Sequence, residues 1–186
     1  MIERRCAVSE PGDALAEVLA QLAIRDALYR FCRGVDRGDA DAMFSAFHPD
    51  ATDSHGPGGP EHIVPMLVQR FDETPRVGQH HITNVHAVVD GDVAAVESYF
   101  LLFNAQSEER GGEHELVGGR YLDRFERRNG EWRIAAREIV VDVARSPLFG
   151  SDLAGALPYV TGGRREKDPS AALFTQVRNQ ARVEEK

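Results

Sequence analysis

The chain has 186 residues, 42% of them hydrophobic and 28% charged, which is enough to bury the core of one globular domain. Its formal net charge of −8 argues against a nucleic-acid partner, because proteins that bind polyanions usually present a basic surface. The two cysteines, Cys6 and Cys32, form neither a disulfide framework nor a metal-binding spacing, and no apolar run is long enough for a membrane helix. We therefore expect a cytoplasmic protein with no nucleic-acid or membrane partner.

A long amphipathic helix is predicted near the start of the chain. Residues 1–12 are typical of a flexible arm, and apolar residues then recur at helical spacing from Leu15 to about Gly34 or Arg37. Asp36 lies near the end of this helix, on the same face as the apolar stripe. Its carboxylate is therefore expected beside the core.

Two shorter helices and a short strand are predicted next. Asp39 suits the cap of a second helix, because an aspartate can accept a hydrogen bond from a free backbone N–H group there. His48-Pro49 ends that helix before a short strand near residues 51–55. The loop that follows is rich in glycine and proline, and Pro60 suits the first turn of a third helix.

From residue 77 onward the periodicity is that of strands, which are predicted at residues 77–89, 93–105, 116–127 and 132–143. Asn129-Gly130 is a strong hairpin signal between the last two. Helices first and long hairpins afterwards indicate an α+β domain over residues 13–145, with a curved antiparallel sheet. Residues 146–186 are predicted to form a C-terminal extension with one short helix near residues 171–177.

An acid and a histidine are candidates for general-base chemistry. Strand alternation places His80, Ile82 and Asn84 on one face and His81, Thr83 and Val85 on the other, so only one of the two histidines points inward. A buried carboxylate such as Asp36 can fix the tautomer of a histidine and stabilise the imidazolium that forms. A purely structural alternative stays open, in which Asp36 caps the helix or pairs with a nearby arginine and His80 is a hydrogen-bonded core residue.

Other polar residues are candidates for contacts with a ligand. Arg137 lies on an otherwise apolar strand, and a buried arginine needs an acid or an anion. It either pairs with Asp36 or Glu97 or receives a substrate carboxylate or leaving group. Hydrogen bonds to a substrate oxygen could come from Tyr29, His55 and Asn104, and a one-residue slip of the strand would replace Asn104 by Phe103. No third ligand accompanies the histidines at a familiar spacing, so we expect no metal.

The order of these motifs resembles the SnoaL-like branch of the nuclear transport factor 2-like superfamily. The resemblance covers about residues 13–145 and rests on the long helix followed by VDRGD at 35–39, FHPDA at 47–51, HHITN at 80–84, DGDVA at 90–94 and NGEWRI at 129–134. It implies a cone-shaped curved antiparallel sheet, an α+β barrel, closed by N-terminal helices around a pocket.

Within that superfamily the chain is most similar to the scytalone dehydratase and lindane dehydrochlorinase group. Members of this group use an aspartate–histidine pair to remove a proton from carbon while a leaving group departs. The resemblance implies Asp36 and His80 for the pair and Arg137 for an arginine that receives the departing anion. Where scytalone dehydratase keeps two tyrosines and a second histidine, this chain has Val35, His55, and either Phe103 or Asn104. The resemblance therefore does not identify the substrate.

The leading hypothesis is a cofactor-independent lyase, meaning a dehydratase or related elimination enzyme, or an isomerase, that acts on a hydrophobic cyclic small molecule. The alternatives are a non-catalytic small-molecule binding module and a scaffold subunit of a ring-hydroxylating oxygenase. The predicted pocket lining comprises Leu28, Phe31, Met43, Phe44, Tyr99, Leu101 and Phe103. Apolar residues on open sheet faces favour a homodimer or homotrimer.

Overall fold

The computed structural model describes residues 11–73, 76–106, 114–145 and 165–167. The elements in this part of the chain are α1 (Pro11–Arg37), α2 (Ala40–Ala46), β1 (Phe47–Asp53), α3 (Pro60–Glu73), β2 (Arg76–Asp90), β3 (Val93–Gln106), β4 (His114–Arg128) and β5 (Glu131–Arg145). A short 3₁₀ turn occupies Arg165–Lys167. The α+β order is confirmed. The arm before α1 and the helix expected near residues 171–177 lie outside the described residues.

The helix boundaries follow from local sequence. Gly38, just beyond α1, has a φ of 67°, a left-handed conformation that glycine adopts without steric cost. Asp39 then caps α2, with its Oδ1 accepting a 3.0 Å hydrogen bond from the backbone N–H of Ala42. Pro60 is the first residue of α3, where its missing N–H costs no hydrogen bond. The predicted starts of α2 and α3 are therefore confirmed.

The strands form one curved, open sheet in the order β1-β5-β4-β3-β2. The pairs from β2 to β5 are antiparallel, and the β4–β5 hairpin turns at Asn129 and Gly130, whose φ angles of 53° and 84° suit a tight two-residue turn. In contrast to the purely antiparallel expectation, β1 pairs parallel with β5 and brings Asp53 opposite Arg137. The sheet is therefore mixed, and β1 and β2 are its two edges.

One face of α1 supplies much of the core. Ile24, Leu28 and Phe31 are buried there, together with Phe125 and Ile134 of the sheet. Full burial of each such side chain stabilises the fold by roughly 2 kcal/mol. The first half of the apolar stripe is not buried. Its four large apolar side chains are 53–59% exposed, namely Leu15, Val18, Leu19 and Leu22. No helix in the described ranges is long and apolar enough to cross a membrane.

A bulge changes the predicted alternation in β2. The register shifts between Ile82 and Val85, so His80, Ile82 and Val85 face inward while Asn84 is exposed. Strict alternation wrongly placed Asn84 inside and Val85 outside. His80 precedes the bulge, and His81 is exposed, so one of the two histidines points inward as predicted.

Candidate active site

A partly open cavity of about 270 Å³ lies between the helices and the concave face of the sheet. Its lining is mainly apolar and comprises Val35, His55, Leu67, Arg70, His80, Phe100, Leu102, Asn104, Val117, Tyr121, Ile139 and Val141. An apolar cavity with a few convergent polar groups is the usual form of a small-molecule site.

Asp36 and His80 meet at this cavity, although 44 positions separate them in the chain. The last turn of α1 presents Asp36, and the start of β2 presents His80. His80 Nδ1 lies 2.5 Å from Asp36 Oδ1, and the backbone N–H of His80 donates to Asp36 Oδ2 at 2.9 Å. Only 6% of the His80 side chain and 9% of the Asp36 side chain are exposed. The structure therefore brings together the two residues proposed as a catalytic pair.

The hydrogen bonds define what this pair can do. Because the carboxylate accepts from Nδ1–H, the basic lone pair of neutral His80 is on Nε2. Gly78 lets β2 lie close to the side chains of Asp36 and Asn104. A Cβ at this position would lie 3.5 Å from Asp36 Oδ1 and 3.2 Å from Asn104 Oδ1. Arg33 pairs with Asp39, and Arg37 donates to the backbone oxygens of Asp36 and Gly78. The geometry is that of a histidine base oriented by an acid.

A second acid–histidine pair lines the same cavity. Asp53 Oδ1 lies 2.7 Å from His55 Nδ1 and also accepts from the backbone N–H of His55 at 2.9 Å. The Asp53 side chain is fully buried, whereas 22% of the His55 side chain is exposed. Ser54 anchors the segment on β5 by bonds to the backbone of Arg137 and Ile139. Sequence reasoning selected His55 but missed Asp53 as its partner, although the Asp-Ser-His spacing was the available signal.

Asn104 also faces the cavity. Strand β3 alternates without interruption, so Ser98, Phe100 and Asn104 are buried while Tyr99 and Phe103 are exposed. This register resolves the predicted choice between Asn104 and Phe103 in favour of the amide. Asn104 Oδ1 is buried and has no hydrogen-bond partner among the described residues. An orphaned buried acceptor beside an acid–histidine pair is suited to a bound polar ligand.

Arg137 occupies a different place from the predicted one. Its Nε and Nη2 each donate to Asp123 at 2.7 Å, and both side chains are fully buried, so neither Asp36 nor Glu97 is its partner. The guanidinium lies 4.4 Å from the ring centroid of Phe31 and 4.0 Å from that of Tyr121. Arg137 therefore lies behind the cavity wall, which argues against its predicted role as receptor of a departing anion.

Burial and charge pairing act in opposite directions on this buried pair. Burial disfavours the charged form of Arg137, but the nearby acids, with Asp123 first, offset this effect, so the pKa of the guanidinium is raised above its usual value. Burial raises the pKa of the Asp123 carboxyl, and Arg137 opposes that shift. The two-bond geometry shows a structural ion pair.

Several predicted ligand contacts lie elsewhere. Phe31 is buried in the core, where its ring packs against Tyr121 and His55. Leu28 and Met43 are core residues as well. The side chains that are 38–51% exposed and lie outside the cavity lining are Tyr29, Phe44, Tyr99, Leu101 and Phe103. The cavity predictions for these residues are corrected for one physical reason: helix and strand periodicity identified apolar positions but assigned several of them to the wrong face.

The described ranges contain no group of three or more His, Cys, Asp and Glu side chains arranged to hold a metal ion. Cys32 is the free cysteine of the described core, and burial raises the pKa of its thiol to about 12. A thiol in this state is a poor nucleophile at neutral pH. The two histidines that line the cavity are each paired with a carboxylate, His80 with Asp36 and His55 with Asp53.

Comparison with known proteins agrees with this architecture. The curved sheet and helical cover around an apolar cavity define an α+β cone of the nuclear transport factor 2-like type. Residues 16–138 match the SnoaL-like domain, and the chain belongs to that family. No curated protein sequence matches the chain.

Three solved structures illustrate the shared fold. A type 2 hexachlorocyclohexane dehydrochlorinase, LinA, is 23% identical with a TM-score of 0.68, covering 79% of this chain and 99% of its own. A candidate scytalone dehydratase from Novosphingobium aromaticivorans is 20% identical with a TM-score of 0.62, covering 69% and 88%. A candidate aromatic ring hydroxylase from the same organism is 24% identical with a TM-score of 0.60, covering 70% and 95%. At these identities the likeness is one of fold.

Proposed function

We propose that this protein is a cofactor-independent lyase, meaning a dehydratase or related elimination enzyme, or an isomerase. The observation that carries the proposal is the buried Asp36–His80 pair, with its 2.5 Å hydrogen bond, at the edge of an apolar cavity. Solved structures of similar fold include a dehydrochlorinase and a candidate dehydratase, both of which bear names of elimination enzymes.

In the proposed reaction, His80 Nε2 removes a proton from a substrate carbon that lies next to an electron-withdrawing group. Asp36 keeps the imidazole in the Nδ1–H tautomer and stabilises the imidazolium that forms. Asn104 is the proposed partner for a substrate polar group, because its amide is buried beside the pair. General acid–base catalysis of this kind contributes typically about 10²–10⁴-fold to a rate.

The cavity limits the substrate. A volume of about 270 Å³ is near the lower end of known small-molecule pockets and suits a compact molecule. The apolar walls, including Leu67, Phe100 and Leu102, favour a hydrophobic ring over a flexible polar chain. The proposed substrate class is therefore a small cyclic molecule with an acidic C–H bond.

The test is an ultraviolet assay against cyclic β-hydroxyketones and halogenated rings, which gain conjugation on elimination. We expect turnover by the wild-type protein and a loss on the order of a hundredfold or more in His80→Ala and Asp36→Asn. His81→Ala is the matched control, because this neighbouring histidine is exposed on the other face of β2. Equal binding by all four proteins without product would refute catalysis on this panel.

That refuting outcome would instead favour a non-catalytic binding module. The apolar cavity is suited to holding a hydrophobic ligand, and a binder should keep its affinity in His80→Ala. A scaffold subunit of a ring-hydroxylating oxygenase is a further candidate, because one relative of the same fold is a candidate aromatic ring hydroxylase. This role would require tight association with a larger catalytic chain, which co-purification would reveal.

We also propose a cytoplasmic homodimer or homotrimer. The outer side of β3 exposes Val93, Tyr99, Leu101 and Phe103 by 37–40% each, an apolar row that association would cover. The buried free thiol of Cys32 suits a reducing compartment.

A further inference from the structure

The cavity holds two histidines, each oriented by its own carboxylate. Asp53 binds His55 through Nδ1, just as Asp36 binds His80. The supporting strands β1 and β2 are opposite edges of the curved sheet. Both imidazoles line the cavity.

Aromatic rings connect the two histidines. His80 neighbours Phe100 at a centroid distance of 6.4 Å, and Phe100 stacks on Tyr121 at 4.6 Å. Phe31 lies 6.1 Å from Tyr121 and 6.0 Å from His55. A flat ring bound against Phe100 and Tyr121 would therefore have one histidine toward each end.

Asp53 is the carboxylate that positions His55. Arg137 lies opposite Asp53 in the pairing of β1 with β5, but the hydrogen bonds of its Nε and Nη2 go to Asp123. Asp53 Oδ1 accepts from the backbone N–H of His55 and lies 2.7 Å from His55 Nδ1. Asp53 Oδ2 has no hydrogen-bond partner among the described residues.

Solvent exposure separates the roles of the two histidines. The His80 side chain is 6% exposed and the His55 side chain is 22% exposed. His55 is therefore the more accessible of the two imidazoles, and each is held at Nδ1 by its own carboxylate. The same cavity therefore offers two imidazoles whose Nε2 atoms are left for a substrate.

Building on the proposed function, we propose that His55 is the general acid that protonates an oxygen leaving group, with Asp53 as its positioning residue. This assignment names the substrate class as cyclic β-hydroxy carbonyl compounds. His80 Nε2 takes the α proton, and the electron pair of that C–H bond forms the C=C bond. The C–O bond breaks, and the Nε2 proton of His55 converts the departing hydroxyl to water. Transfer of one proton from His80 to His55 through solvent restores the initial state.

A halide leaving group distinguishes this role, because it departs as an anion and needs no proton. The test compares kcat/KM for a cyclic β-hydroxyketone and its β-chloro analogue in wild type, His55→Gln and Asp53→Asn. We expect a loss on the order of a hundredfold in His55→Gln with the hydroxy substrate and near wild-type rates with the chloro substrate. The matched control is His62→Gln, which changes an exposed histidine that also pairs with a carboxylate, Glu61.

The pH profile gives a second readout. With the hydroxy substrate, wild-type kcat/KM should be bell-shaped, and His55→Gln should lose the decline at high pH that reports a required acid. Equal losses with both substrates, or none with either, would overturn the general-acid role. If His80→Ala retains full activity on the chloro substrate, the proposed base fails instead.

Discussion

Replacing Asp123 with asparagine should strongly destabilise the fold, because it leaves the Arg137 guanidinium buried without its counter-charge. The native pair has two 2.7 Å hydrogen bonds and no exposed side-chain surface. Removing one member of such a pair typically costs about 3–5 kcal/mol in the free energy of unfolding. Arg137→Met should cost at least as much, since it leaves both Asp123 and Asp53 without the guanidinium.

Urea denaturation followed by circular dichroism measures this effect. With a slope of about 2 kcal/mol/M, a loss of about 4 kcal/mol lowers the midpoint by about 2 M. Asp26→Asn is the control, because Asp26 pairs with Arg30 at the surface, where ion pairs contribute little. Its midpoint should stay near that of the wild type.

The double variant Asp123→Leu with Arg137→Met tests the reasoning further. Because it removes both charges together, it should recover most of the stability that either single change loses. If Arg137→Met instead keeps wild-type stability and abolishes turnover, Arg137 serves the substrate and the structural assignment is refuted. A double variant that is less stable than both single variants would also contradict a structural ion pair between Asp123 and Arg137.

Three further predictions concern other parts of the fold. Cys32 should resist alkylation at pH 8 until the protein unfolds, because a pKa of about 12 leaves only about one thiol in ten thousand as thiolate. Labelling of Cys32 in the folded protein, detected by peptide mass spectrometry, would refute this prediction. Gly119→Ala should lower the free energy of unfolding by about 1–3 kcal/mol. The new Cβ would lie 2.9 Å from the Phe100 ring and closer still to the Val140 carbonyl oxygen. An unchanged melting temperature would show that the added methyl group is accommodated without a clash. Leu101→Glu should reduce the mass measured by light scattering if β3 forms the proposed subunit contact, whereas an unchanged assembly would place that contact elsewhere.

Local signals in the sequence predicted the features that depend on near neighbours. The Asp39 cap and the Asn129-Gly130 turn depend on hydrogen bonds and backbone angles within a few residues. Strand alternation predicted that only one of His80 and His81 points inward, and the family resemblance selected His80. Its meeting with Asp36 followed from the resemblance to a family that pairs these positions.

The features that were missed depend on long-range register. The bulge after Ile82 reverses the alternation of β2, and no local residue signals it. Arg137 pairs with Asp123 because the register of β4 and β5 places the two residues opposite each other. From sequence spacing alone, several other acids were possible partners. The parallel pairing of β1 with β5 likewise depends on contacts between residues far apart in the sequence, and it places Asp53 opposite the same arginine.

The fate of the substrate α hydrogen shows whether His80 is the base. An α-deuterated cyclic β-hydroxyketone is followed by proton NMR with wild type, His80→Ala and His81→Ala. We expect release of deuterium with product formation by the wild type and His81→Ala, and release at least about a hundredfold slower in His80→Ala at saturating substrate. Equal release by His80→Ala and the wild type would show that His80 is not the base.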